Sequence, residues 1–381
     1  MRIGIDNISP GLSSTRQALG GMRHFIQSLV TYLPKERASD EFILFTPEWA
    51  DAFETSSVEN LTVVKCTNVP QHRPGRVFYE QFILPGQIQH QEVAVWLGTV
   101  NTLPLRYSKQ NVLFVQSLQY YTQPRSYPCL QRLYLRVFAS LSIRRANRLV
   151  VFSQVSKDEM VRRLKIDPAK IAVIPHAVRF DSQSLVRENG PREQKQVAEM
   201  VSGGNYILCV SAFYPYKNLP RLITAFACLK PEYSHKLVIC GAETNHLKRA
   251  DLMALARQLG VDAEVIFLGR VPDEQLSMLY RQATMMAMPS LEETFGLPPL
   301  EAMAFGCPVL TSNLSSMQEV AGEAAMLVDP YSVESIADGL RQVLSDPVRR
   351  QEMAEAGRVR ARLFTRERFF NQLMSVIDSV R

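Results

Sequence analysis

The 381-residue chain has no Asp-x-Asp pair, no Cys-x-x-Cys pair, no Gly-x-Gly-x-x-Gly turn and no P-loop sequence. Without the acidic pair there is no short clamp for a divalent cation on a diphosphate, so neither a metal nor another cofactor is expected. Without the glycine fingerprint a dinucleotide-dependent dehydrogenase is disfavoured, and without the P-loop so is an NTPase. No apolar stretch approaches the ~18 residues of a membrane-spanning helix. Met1-Arg2 runs directly into strand-like Ile3-Gly4-Ile5-Asp6 with no apolar leader. The cysteines, at 66, 129, 209, 228, 240 and 307, lie far apart and several fall inside apolar runs. They are expected to be buried, reduced thiols, which with the missing leader points to a cytoplasmic protein. The histidines at 24, 72, 90, 176, 235 and 246 show no metal-ligand spacing.

What is present is enough for two α/β cores, since 381 residues exceed one ordinary domain and 46% of them are apolar. Short apolar runs at 3–6, 42–46, 61–64, 93–97, 111–115 and 148–152 alternate with helical or loop segments, as in a mostly parallel sheet. A second series begins at Tyr206 and continues at 237–241, 265–268 and 285–288. Between the two, 187–204 has no apolar periodicity and is expected to be a hinge. The domains predicted are 1–190 and 200–363, with a final helix, 364–381, returning to the first. Phe25, Ile26, Leu29, Val30 and Leu33 recur at helical steps and predict a buried helix face just after Gly20-Gly21.

The chemistry-bearing stretch is Ser290-Leu-Glu-Glu-Thr-Phe-Gly-Leu-Pro-Pro-Leu-Glu-Ala-Met-Ala-Phe-Gly-Cys-Pro308. A strand ends at Pro289-Ser290, a turn follows, and Pro298-Pro299 begins a helix whose start attracts an anion such as a diphosphate. Glu293 and Glu301 can face one cleft, and a carboxylate accepts two hydroxyls of a ribose diol or sugar ring. Taken as carboxylates alone, Glu301 would serve only the helix dipole and Glu292 and Glu293 only solvent; the Phe-Gly-Leu-Pro turn around them favours a ligand. Lys217, in the loop after the strand Tyr206–Val210, is placed to meet a leaving diphosphate as a compact cation. Gly20-Gly21 opens a helix where backbone can approach an anion closely. Asp6 is expected to support that loop.

Together these residues resemble the retaining glycosyltransferases of glycosyltransferase family 4, which have the GT-B fold. Glu293 to Glu301 resembles the family's E-x7-E element, and the likeness extends through Lys217-Asn218, Val265-Ile-Phe-Leu-Gly-Arg-Val271, Lys170-Ile-Ala-Val-Ile-Pro175 and Gly20-Gly21-Met22. The resemblance implies two Rossmann-like domains facing each other across a cleft. It implies that Glu301 holds the donor ribose, Glu293 contacts the donor sugar, and Thr294, Phe295, Gly296, Leu297 and Pro298 line sugar and phosphate. Val271 would border the base, and Lys217 with Asn218 would meet the diphosphate that Gly20-Gly21 closes on. The donor implied is a nucleotide-diphosphate sugar, UDP-glucose before GDP-mannose, and the acceptor a glycan or a lipid-linked glycan. In two places the chain departs from the family: Ala212 stands where an arginine is common, and Gln116 where many members have a histidine. Gln116 and His24 are therefore the acceptor-side candidates, although an amide cannot exchange a proton near neutral pH. A nucleotide-sugar binding protein without transfer, a sugar phosphorylase and an epimerase on the same scaffold are the rival readings.

The positive charge belongs to the first half, where residues 1–190 hold 23 Lys and Arg against 15 Asp and Glu. In 130–148 apolar residues at 130, 133, 134, 137, 138 and 141 share a helix with Arg132, Arg136 and Arg144. The expected arrangement is a core helix with a solvated arginine stripe; the alternative is a face for an anionic membrane surface. Nucleic acid is not an expected partner, because the arginines come with no recognisable binding motif.

Overall fold

A computed structural model describes residues 1–9, 20–53, 55, 58–124, 127–180 and 205–381. The expected hinge, 187–204, lies wholly outside the described residues. The chain divides into two compact units, Met1–Pro175 with Glu367–Arg381, and His176–Arg366.

The first unit is built on seven strands: β1 (Arg2–Asp6), β2 (Glu41–Pro47), β3 (Leu61–Cys66), β4 (Val95–Gly98), β5 (Gln110–Phe114), β6 (Arg148–Val151) and β7 (Ile171–Val173). Their order is β3-β2-β1-β4-β5-β6-β7, every pair parallel, with Ile5 beside Leu44 on one flank and Leu97 on the other. The second unit has β8 (Tyr206–Val210), β9 (Lys236–Cys240), β10 (Val265–Gly269), β11 (Met285–Met288), β12 (Val309–Ser312) and β13 (Ala325–Val328). Its order is β10-β9-β8-β11-β12-β13, again all parallel. Both are Rossmann-like α/β sheets of the GT-B kind. Helices cover both faces of such sheets, which is why the central strands read as unbroken apolar runs. Tyr206, Ile207, Leu208 and Cys209 of β8 and all four residues of β11 are buried.

The helix Gly20–Glu36 buries Phe25, Ile26, Leu29, Val30 and Leu33 as its periodicity predicts. Phe25 meets the rings of Phe114, Phe152 and Phe369 edge-on at 5.1, 5.8 and 6.4 Å. Phe369 comes from the helix Arg366–Asp378, whose Phe370 packs on Tyr32 at 5.9 Å. Burying each such ring stabilises by about 1.5–3 kcal/mol. Polar clasps finish the seam, Arg37 to Asp378 at 2.7 Å and Arg381 to Asp40 at 2.8 Å.

Two expectations need correction. The 130–148 segment reaches the core through Leu135, Ala139 and Ile143 and leaves Arg136 and Arg144 exposed as expected, but Leu130, Leu133, Val137 and Leu141, expected in the core, are exposed as well. Between the helical turns Cys129–Tyr134 and Ser140–Arg145 the chain makes a π-helical turn, Leu135–Ala139. Ala139, Ser142 and Ile143 face the core, while Leu130 and Leu133 before this turn, Val137 within it and Leu141 after it face outward; the wider turn shifts the pattern only from 135 onward. The cysteines are all free, but Cys129 and Cys228 are exposed and only the other four are buried. Among the described residues no helix is long and apolar enough to cross a membrane.

In each sheet the strand order reverses once. From β8 the chain runs outward to β9 and β10, then returns to add β11 on the other flank. Parallel α/β sheets open a ligand crevice at the carboxyl ends of the strands beside such a reversal, here those of β8 and β11.

Candidate functional site

The loop after β8 carries Lys217 and the loop after β11 carries Glu293, so the two flank that crevice. Lys217 Nζ lies 2.6 Å from Glu293 Oε1, and the two side chains are only 14% and 10% exposed. The loops are stitched together by Leu291 N donating to Tyr216 O at 2.7 Å. Lys217 ends a 3-10 turn, Pro215–Lys217, and Asn218 follows with φ +64°, a left-handed conformation asparagine tolerates. The Asn218 amide donates to Pro289 O at 2.9 Å and Pro330 O at 2.7 Å, while its oxygen accepts from Arg221. Its side chain is thus committed to bracing the crevice wall.

Glu293 is fixed from behind. Its N–H donates to Ser315 Oγ at 3.0 Å, and Ser316 Oγ donates to the carbonyls of Glu293 and Phe295 at 2.8 and 3.1 Å. Thr294 is half-buried and Phe295 buried. Gly296 has φ +102°, and a Cβ there would stand 1.9 Å from Met317 Cε, so both backbone and space require glycine. The helix Leu297–Ala304 starts immediately after it. Of its first three positions only Leu297 carries an N–H, since Pro298 and Pro299 have none. The helix start therefore offers an anion its dipole but fewer backbone donors than a typical one.

Glu301, on the same helix, is fully enclosed with its side chain 4% exposed. Its Oε1 accepts from Arg179 Nε at 3.0 Å and its Oε2 from the Tyr280 hydroxyl at 3.0 Å. Arg179 also reaches Asp273 Oδ1 at 3.1 Å and lies 4.0 Å over the Phe180 ring. Its own carbonyl accepts from Arg366 at 2.9 Å. Burial pushes the Glu301 carboxyl above the ordinary carboxylate range, and the Arg179 charge pulls it back. The same burial, with the Glu301 charge, pushes the Tyr280 phenol well up. Sequence reasoning did not find Arg179. The signal available was that a carboxylate this buried needs a cation, which says that a partner exists but not where. Val271 is half-buried two residues beyond Gly269, at the end of edge strand β10.

Gly20, Gly21, His24 and Gln116 belong to the first unit. Gly20 and Gly21 begin the helix Gly20–Glu36, and among the described residues no atom lies within 4 Å of a Cβ built on Gly21, so internal packing does not demand that glycine. His24 is half-buried in the first turns. Gln116 follows β5; its amide donates to Thr99 O at 3.0 Å and its N–H to Asn101 Oδ1 at 2.8 Å. Asp6 caps the turn after β1, its Oδ1 accepting from Ile8 N at 2.8 Å and Ser9 N at 3.2 Å. Near it lies Glu80, also fully buried. Burial, then the charge of Asp6, pushes its carboxyl up to about 8, against the pull of the Thr102 and Ser9 hydroxyls. Among the described residues no three His, Cys, Asp or Glu side chains gather into a metal-holding group.

Residues 19–182 match the family described as Glycosyltransferase Family 4, and residues 191–360 match Glycosyl transferases group 1. The chain is 28% identical over 249 residues to the O-antigen chain mannosyltransferase RfbU of Salmonella typhimurium, 64% of this chain and 63% of that protein. It is 27% identical over 275 residues to O-antigen chain mannosyltransferase B of Escherichia coli, 72% of this chain and 71% of that one. In fold it is similar to the sucrose-phosphate synthase of Thermosynechococcus elongatus, with TM-score 0.79 and 18% identity over 100% of this chain and 98% of the other.

Proposed function

This chain belongs to glycosyltransferase family 4, and from that premise we propose that it is a retaining, metal-independent hexosyltransferase acting on a nucleotide-diphosphate sugar. The observation that carries the proposal is the Lys217–Glu293 pair, 2.6 Å apart in the crevice beside β8 and β11. A cation and a carboxylate that neutralise each other before ligand arrives divide on binding. Lys217 turns to the diphosphate, and Glu293 is released to accept hydroxyl hydrogens of the sugar. The bond between the anomeric carbon and the phosphate oxygen breaks, and its electron pair leaves on that oxygen, which Lys217 stabilises. The acceptor hydroxyl attacks the same face of the sugar and its proton passes to the departing phosphate oxygen. No side-chain base is required, which agrees with Gln116 standing in the first unit. Glu301 accepts the ribose hydroxyls through the lone pairs that Arg179 and Tyr280 leave open. Lys217 supplies the positive charge that a cation would supply elsewhere, which supports metal independence.

The acceptor is a glycan or lipid-linked glycan. The names of the two O-antigen relatives favour a mannosyl donor over the UDP-glucose that the sequence resemblance put first. Transfer from GDP-mannose and UDP-glucose to a glycan acceptor panel, with and without EDTA, and with the product anomer read by NMR, tests every part. An inverted anomer removes the retaining mechanism, and loss of turnover in EDTA removes metal independence. Tight nucleotide binding with neither transfer nor hydrolysis would instead make the protein a binding module.

A further inference from the structure

Among the described residues thirteen large apolar side chains are exposed, and seven of them, Phe78, Phe82, Ile83, Leu130, Leu133, Val137 and Leu141, come from two helical segments of the first unit. Leu130 is 83% and Phe78 57% exposed. In the second segment Leu130, Leu133, Val137 and Leu141 are exposed, and so are Arg136 and Arg144 among them. In the first, the π-turn Tyr79–Ile83 brings Phe78 and Phe82 into a stack at 4.9 Å on the outer side. The two segments hold the same short loop between them. Gln81 bonds Leu103 O at 3.0 Å and Leu105 N at 2.9 Å, and Ser142 accepts from Leu103 N at 2.9 Å. From the end of that loop Arg106 reaches 4.7 Å over the Phe82 ring.

The charge around this face is one-sided. Between Glu92 and Asp158 the chain has nine Lys and Arg and not one Asp or Glu. Arg106, Lys109, Arg136, Arg144 and Arg145 are exposed there. A face for another soluble protein commonly sets an apolar centre inside a polar rim, whereas the charged residues named here are all cations. Exposed leucine and phenylalanine set among cations only is the pattern that buries its apolar side in the headgroup boundary of an anionic leaflet.

We propose that the face formed by Phe78, Phe82, Ile83, Leu130, Leu133, Val137 and Leu141 inserts shallowly into an anionic lipid surface, with Arg106, Arg136 and Arg144 meeting the headgroups. The proposal does not depend on which sugar the second unit binds. It explains why the apolar set of 130–148 is turned outward, and it would hold the first unit against a surface where a lipid-linked acceptor resides.

The test is flotation of the full chain with phosphatidylcholine vesicles, with and without phosphatidylglycerol. Binding is expected only when phosphatidylglycerol is present. Because one basic residue near an anionic surface strengthens adsorption about fivefold, R136E/R144E should weaken binding at least about twentyfold and salt should weaken it further. L130S/L133S/V137S/L141S and F78S/F82S should each abolish flotation while leaving the melting temperature and nucleotide binding unchanged, since these side chains contribute little to the core. Equal flotation on neutral and anionic vesicles, or flotation untouched by both apolar variants, overturns the proposal. So does a concentration-dependent dimer in light scattering that the apolar variants dissolve, because the face would then be covered by a second copy.

Discussion

Arg179 Nε stands 3.0 Å from Glu301 Oε1, and its charge opposes the rise that burial imposes on that enclosed carboxyl. Burial raises the Glu301 carboxyl, Arg179 opposes the rise, and Tyr280 and Asp273 are the other ionisable groups facing it. Replacing Arg179 with Met removes the opposing charge, so the carboxyl rises further and keeps its proton to higher pH. A protonated Glu301 has fewer acceptor sites for a ribose diol. Nucleotide affinity in Arg179→Met should therefore fall at mildly acid pH, by about tenfold or more relative to wild type at the same pH, and recover as pH is raised. Arg179→Lys keeps the charge and should keep most of the affinity. Calorimetric titration with GDP and UDP across pH reads this; a flat profile in Arg179→Met would separate Glu301 from the nucleotide.

Lys217 and Glu293 should be unequal in stability and alike in turnover. Lys217→Met leaves a largely buried carboxylate without its partner, costing about 1–3 kcal/mol. The double variant Lys217→Met with Glu293→Gln removes both charges and should regain part of that loss. Turnover should drop about 100- to 1000-fold in Lys217→Met, in Glu293→Gln and in the double variant. Urea unfolding and kcat/KM on the same samples check both halves, and a Lys217→Met enzyme with undiminished turnover would remove the lysine from the reaction.

Gly296→Ala faces two separate obstacles, the backbone at φ +102° and Met317 Cε 1.9 Å from the new carbon. The expected destabilisation is about 1–3 kcal/mol. Adding Met317→Ala opens the space but leaves the backbone strained, so recovery should be partial. Full recovery of melting temperature and nucleotide affinity would mean that only space, and not the turn conformation, mattered.

Glu80 should give the first unit an unusual pH response. Its carboxyl sits at about 8 in the folded chain, above the ordinary carboxylate value of 4.5. Between those two values the folded state holds a proton that the unfolded state has released, so the contribution of this group to stability is present at low pH and is lost as pH rises toward 8. The slope it adds approaches ~1.4 kcal/mol per pH unit. Glu80→Gln, which copies the protonated form, should flatten that slope and be at least as stable as wild type at neutral pH. Denaturant midpoints measured from acid to mildly alkaline pH decide it, and an unchanged slope would mean that Glu80 is ionised in the fold.

Much of this was legible because the deciding signals are local. The β8 loop and the 290–308 segment encode strand, turn and helix start within a few residues, so Lys217, Glu293 and Gly296 could be found by reading along the chain. Arg179 could not, because its partner is 122 residues away and the pairing exists only once the helix Leu297–Ala304 packs. The π-turn at 135–139 was hidden for a different reason: a wider turn leaves composition unchanged while rotating the side chains that follow it, so a regular period could not place Leu141, and no spacing announces that Leu130 and Leu133 ahead of it are exposed. Asn218 was recognised beside Lys217, but its bonds go to Pro289 and Pro330, carbonyls that no spacing announces.

Those two bonds also limit how the protein can be rebuilt. Because a single amide fastens the carbonyls of Pro289 and Pro330, the stretches around 217, 289 and 330 form one mechanical part although the chain writes them far apart. A chimera that borrows a relative's β8 loop alone would bring a foreign latch to native strikes. Exchange of sugar preference between relatives should therefore succeed only when all three stretches are transplanted as a set.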